Sequence, residues 1–126
     1  MHPTHDDIIE IERVLSLWGH VLDDRAWKRL GECLTNDAIY DASVYGFEPV
    51  QGIDMIETML RDGEHAVAHH VTNIVVIPGD TEVTHVRSKG LGIRHDGTVS
   101  SATYHDEMVR TADGWRVAVR TLGRMG

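Results

Sequence analysis

Beyond residue 65 the apolar pattern of this chain changes period, from about 3.6 residues to 2. The new period is interrupted at Pro78-Gly79-Asp80, His95-Asp96-Gly97 and Ala112-Asp113-Gly114. These turn signals predict four strands, at about 66–78, 81–95, 98–111 and 115–123. Strands joined by tight turns are antiparallel neighbours, so the second half reads as a meander. One face of such a sheet must be covered, and the first half must supply the cover. Long strands coil, so the sheet is expected to curl round the first helix into a cone with a closed end and a mouth, its inward face the natural ligand cavity.

The first half has the required helical periodicity. Thr4 followed by Asp7 resembles a capping box, and Ile8, Ile11, Leu15, Trp18 and Leu22 then recur at helical spacing, predicting a helix over 4–22. Asp23-Asp24-Arg25 ends it. A second helix is expected over 26–34, with Trp27, Leu30 and Leu34 inward, closed by Asn36-Asp37. A short strand over 38–45, a Gly- and Pro-containing loop over 46–52 and a third helix over 53–61 complete the pattern. The class expected is α+β, a curved antiparallel sheet wrapped around N-terminal helices, as one domain over 1–126.

A formal net charge of -8 and a pI near 5.5, without any Lys or Arg cluster, argue against nucleic-acid and anionic-membrane partners. The apolar runs are far short of a bilayer span and residues 1–7 lack signal-peptide character, so a cytoplasmic protein is expected. One cysteine, Cys33, permits neither an internal disulfide nor a multi-cysteine zinc site, and it reads as a helix core residue.

The first predicted long strand carries polar side chains where a core is expected. Strict alternation puts His69 and Asn73 on one face with Val67, Val71, Val75 and Ile77, and His70 on the other with Ala68, Thr72, Ile74 and Val76. A buried imidazole without a partner costs about 1–3 kcal/mol. The His69 face therefore lines a polar pocket or holds a hydrogen-bonded core histidine. Asn73, about 13 Å further along, belongs to the same wall or marks a bulge. Adjacent strand histidines cannot converge on one ion, and His65 with His69 would do so only in a helix, so no metal is expected. Gly90 and Gly92 lie within a strand pattern, indicating close approach of backbone or a bulge and not a phosphate loop.

Leu22-Asp23-Asp24-Arg25 with Trp27, Asn36-Asp37-Ala38, Gly52, His69-His70-Val71-Thr72-Asn73, Tyr104-His105-Asp106, and Gly114-Trp115-Arg116 with Arg120 together resemble the SnoaL-like branch of the nuclear transport factor 2-like superfamily. The resemblance covers nearly the whole chain. It implies a cone-shaped, cystatin-like α+β barrel that dimerises readily through its outer sheet face. It does not specify a reaction, because the fold serves dehydratases, isomerases, cyclases and non-catalytic binders. Scytalone dehydratase and hexachlorocyclohexane dehydrochlorinase, within this branch, set an aspartate after the first helix against a histidine on the first long strand. The matching residues are Asp23 and His69. The dehydrochlorinase adds an arginine on the last strand, matched by Arg120, and a lysine on the first helix, where this chain has Trp18.

The resemblance thus implies a catalytic set of Asp23, His69 and Arg120. It places Tyr104 and Asp106 inward, Asp106 serving as a second acid or as the partner of Arg120. Trp18, Tyr40, Tyr104, Asp106, Asn73 and His85 are the expected substrate-binding residues, with His85 either a second cavity histidine or an exposed one. The expected activity is a cofactor-free lyase or isomerase acting on a small hydrophobic or ring-containing molecule, in a homodimer. The competing expectation is a binding or accessory protein that uses the same cone.

Overall fold

A computed structural model describes residues 2–63, 66–79 and 82–124. Helix α1 spans His5–Asp23. Thr4 caps it: the Asp7 N–H donates to Thr4 Oγ1 at 3.1 Å, and the Thr4 N–H donates to Asp7 Oδ2 at 2.8 Å. Its inward stripe, Ile11, Val14, Leu15, Trp18 and Leu22, packs into one core with Val86, Met108, Trp115 and Val117 of the sheet. Each such aliphatic side chain contributes about 1.5–3 kcal/mol on burial.

The second predicted helix is a 3-10 helix, Trp27–Glu32, and β1 begins at once with Leu34–Asp41. Tertiary pairing overrides the local pattern here. The Val117 N–H donates to the Cys33 carbonyl at 2.8 Å, and Leu34 pairs with Val117, so these residues join the sheet. The turn-forming Asn36-Asp37 falls in the irregular stretch of β1 between Leu34 and Ile39. Residues Ser43–Tyr45, expected at the end of a strand, form a 3-10 turn, and a two-residue strand β2, Val50–Gln51, lies inside the predicted loop. Helix α2 covers Ile53–Asp62.

The meander follows as β3 (Ala68–Ile77), β4 (Thr84–Ile93), β5 (Val99–Thr111) and β6 (Gly114–Arg124). The sheet order is β2-β1-β6-β5-β4-β3. The meander pairs are antiparallel, whereas β1 lies parallel to β6, so the six-stranded sheet is mixed. The inward face of β4 consists of Thr84, Val86, Ser88, Gly90 and Gly92, all buried. Gly90 is required by its neighbour: a Cβ there would lie 2.4 Å from the Tyr104 ring, which crosses the sheet floor above it. None of the helices among the described residues is long and apolar enough to cross a membrane.

Candidate active site

The last residue of α1 meets the start of β3. Gly19 lets the helix approach so closely that a Cβ placed there would lie 2.6 Å from the His69 carbonyl oxygen. Asp23, one turn further on the same helix face, then reaches His69. Its carboxylate accepts the His69 backbone N–H, at 2.9 Å to Oδ1 and 3.1 Å to Oδ2, and Oδ1 lies 2.7 Å from His69 Nδ1. A carboxylate only accepts, so Nδ1 carries the proton and the lone pair of the neutral ring lies on Nε2. The side chains are 16% (His69) and 27% (Asp23) exposed, so the pair sits at a rim rather than in the core.

His69 borders three hollows. A largely apolar cavity of about 430 Å³ is lined by Trp18, Leu22, Tyr40, Phe47, Met59, Leu60, Tyr104 and Leu122, among others. A hollow of about 340 Å³ runs along Gly90, Gly92, Ser100 and Tyr104. A third, of about 320 Å³, includes Asp23, Arg25, Trp27 and His95. Trp18 and Tyr40 stack with ring centroids 6.3 Å apart. Burial raises the pKa of both Tyr40 and Tyr104, so each remains a neutral phenol and a hydrogen-bond donor at neutral pH.

Arg120 and Asp106 do not line this site. Arg120 Nε and Nη2 donate to Asp106 Oδ1 and Oδ2, both at 2.8 Å, and the two side chains are 1% and 0% exposed. The guanidinium lies 4.0 Å from the Tyr104 ring centroid and 4.8 Å from that of Trp18. Burial opposes its charge, but the Asp106 carboxylate outweighs burial and the net shift of its pKa is upward. The arginine expected near a leaving group is instead half of a sealed ion pair beneath the aromatic floor. That pairing was one of the two roles open to Asp106 in the sequence.

Two other expected binding residues face away. Asn73 has φ 55° and sits in a bulge between the Thr72–Lys89 and Val75–Arg87 pairs, exposed, with Thr72 Oγ1 donating to its Oδ1. The bulge breaks the alternation, so Val71, Ile74 and Val76 point inward and Asn73 does not share the His69 wall. His85 is exposed on the outer face of β4, opposite Ile77 and Glu107. His70 is likewise exposed, and His65 lies outside the described residues. Arg25, Trp27 and His95 also border the hollow beside His69; the sequence marks Arg25 and Trp27 by the family resemblance, Trp27 by helical periodicity and His95 by a turn signal, but none of them as a site residue. Cys33 is buried, its thiol facing the Val14 carbonyl, and burial pushes its pKa up to about 11, an inert core group. Among the described residues no cluster of three His, Cys, Asp or Glu side chains is arranged to hold a metal ion.

Helices capping a curved sheet, with a cavity that opens where the first helix ends, define the α+β cone of the nuclear transport factor 2-like class. Within that class the chain belongs to the SnoaL-like domain family, which matches residues 3–121. A candidate aromatic ring hydroxylase from Novosphingobium aromaticivorans superposes with TM-score 0.76 at 23% identity, over 98% of this chain and 92% of that one. The Kfla4162 protein of Kribbella flavida gives 0.72 at 25% identity, over 93% and 89%. A candidate scytalone dehydratase from Novosphingobium aromaticivorans gives 0.78 at 21% identity, over 94% and 84%. No curated protein matches the chain. The likenesses carry the fold; the differing names attached to it leave the reaction to the site.

Proposed function

We propose that this protein is a small cofactor-free lyase or isomerase of the dehydratase type, with His69 as general base and Asp23 as the group that orients it. The observation that carries this reading is the 2.7 Å contact between Asp23 Oδ1 and His69 Nδ1 at the border of an apolar cavity of about 430 Å³. In the reaction, Nε2 takes a proton from carbon next to a carbonyl or ring, and the imidazolium so formed faces the Asp23 carboxylate. The electron pair moves towards the carbonyl oxygen, for which Tyr40 and Tyr104, both lining the cavity, are the proposed hydroxyl donors. In a dehydration the electron pair returns to form the carbon–carbon double bond as the neighbouring C–O bond breaks, and the His69 imidazolium gives its proton to the departing hydroxyl, which leaves as water; in an isomerisation it returns the proton to another carbon. The substrate class is a small hydrophobic or ring-containing molecule, because Trp18, Leu22, Phe47 and Met59 offer apolar contact.

Withdrawal of Arg120 and Asp106 from the cavity supports a second reading, a ligand-binding protein without turnover. His69→Ala and Asp23→Asn separate the two. Against any substrate found in a dehydratase and isomerase screen, each is expected to lower kcat by about 10²- to 10⁴-fold. Unchanged turnover in His69→Ala would refute the base. A folded wild type that turns over nothing, yet retains a small molecule detectable by mass spectrometry, would establish the binding reading.

A further inference from the structure

The hollow shared by Asp23, His69, Arg25, Trp27 and His95 has a cation that the reaction above does not use. Arg25 has φ 51°, the left-handed region that glycine ordinarily fills just past a helix end. The helix closes around it in the usual manner, the Arg25 N–H donating to the Leu22 carbonyl at 3.1 Å and the Ala26 N–H to the Val21 carbonyl at 2.9 Å. Folding therefore needs the backbone conformation here but not an arginine, which is strained in it. The side chain is exposed and its guanidinium lies 5.7 Å from the Trp27 ring centroid. It makes no ion pair with any described residue, whereas nearby Arg29 pairs with Glu32 at 2.8 Å and Arg61 with Glu57 at 2.9 Å. Asp23, the acid among the described lining residues, is committed to His69.

A guanidinium with no ion-pair partner among the described residues, laid against an indole at the edge of a hollow of about 320 Å³, is a seat for an anion that also stacks. We infer that the substrate carries a carboxylate and that Arg25 binds it, so that the carboxylate stays at the rim while the ring reaches the apolar cavity, which shares Leu22 and His69 with this hollow. This deepens the proposed function by naming the substrate as anionic, and it rests on that reading for the ring's destination.

The test uses 1-naphthoate and its neutral isostere 1-naphthamide as probes, titrated by calorimetry. The wild type is expected to bind the carboxylate about tenfold more tightly than the amide. Arg25→Gly and Arg25→Ala are expected to abolish that preference and leave the amide affinity unchanged. Arg25→Gly is also expected to melt above Arg25→Ala, because glycine alone relieves the left-handed strain. Loss of binding in a more stable variant is not misfolding. A wild type that binds neither probe at millimolar concentration, a wild type without preference, or a preference that survives in Arg25→Gly would each overturn the proposal. His69→Ala keeps the two readings apart: it lowers turnover by about 10²- to 10⁴-fold if His69 is the base, and it leaves the naphthoate preference intact if Arg25 is the seat.

Discussion

At the scale of single residues, Gly19 decides whether Asp23 reaches His69. Alanine in a helix interior gains about 1 kcal/mol over glycine, so propensity alone favours Gly19→Ala. The added Cβ would meet the His69 carbonyl oxygen, a backbone atom that cannot swing aside. Overpacking of this kind costs about 1–3 kcal/mol, and the clash wins. Gly19→Ala is therefore expected to lower stability in urea unfolding and to lower the turnover of the His69 base, because α1 must move off β3 and take Asp23 with it. A variant more stable than wild type would show that the helix is not held against the strand at this point. Glycine in the middle of α1 reads in the sequence as a weak spot; only the packed neighbour shows that it is a contact.

At the scale of elements, two bulges decide which side chains enter the cone. In β3 the extra residue is Asn73, in the left-handed region. In β6 the pairs Glu107–Val119 and Met108–Val117 leave Ala118 over. The second bulge puts Arg120 three positions after buried Val117 yet still inward, directly paired with Asp106. Strict alternation holds in β3 up to the bulge and inverts after it, so His69 faces the cavity, while Asn73 takes the bulge role and not the place on the His69 wall, the two alternatives its sequence position leaves open. Asparagine tolerates the left-handed conformation and a β-branched residue does not. Asn73→Val is expected to cost about 1–3 kcal/mol, and Asn73→Gly to be near neutral, in thermal melts. Equal stability of all three proteins would mean that the strand runs without the bulge.

At the scale of the whole molecule, α1 is tied to the sheet at both ends by carboxylates. Asp23 holds the mouth end. At the other end Asp7 accepts from Trp115 Nε1 at 3.1 Å and from Arg110, while Glu10 accepts the Trp115 backbone N–H. The Thr4 backbone bond, then Trp115 and Arg110, lower the Asp7 pKa from 3.8 to about 2. A carboxylate with a lowered folded-state pKa stabilises fully above its ordinary pKa, and the contribution is lost as pH falls through the folded value. Acid unfolding should therefore include a component of Asp7 between about pH 4 and pH 2. Asp7→Asn is expected to be less stable than wild type near neutrality and to converge with it towards pH 2, in denaturant unfolding across that range. A constant difference between the two at every pH would remove the titration from the account.

The sequence by itself determined the class and the order of helices before a meander, since these follow from local period and turn chemistry, and its family resemblance set Asp23 against His69. The tertiary structure decided the rest. It drew Leu34 into a parallel pair with β6, turned Asn73 outward, sealed Arg120 with Asp106 beneath Trp18 and Tyr104, and set Arg25 beside Trp27 at the rim. Each depends on which strands become neighbours and where a ladder gains one residue, and periodicity within a strand contains neither.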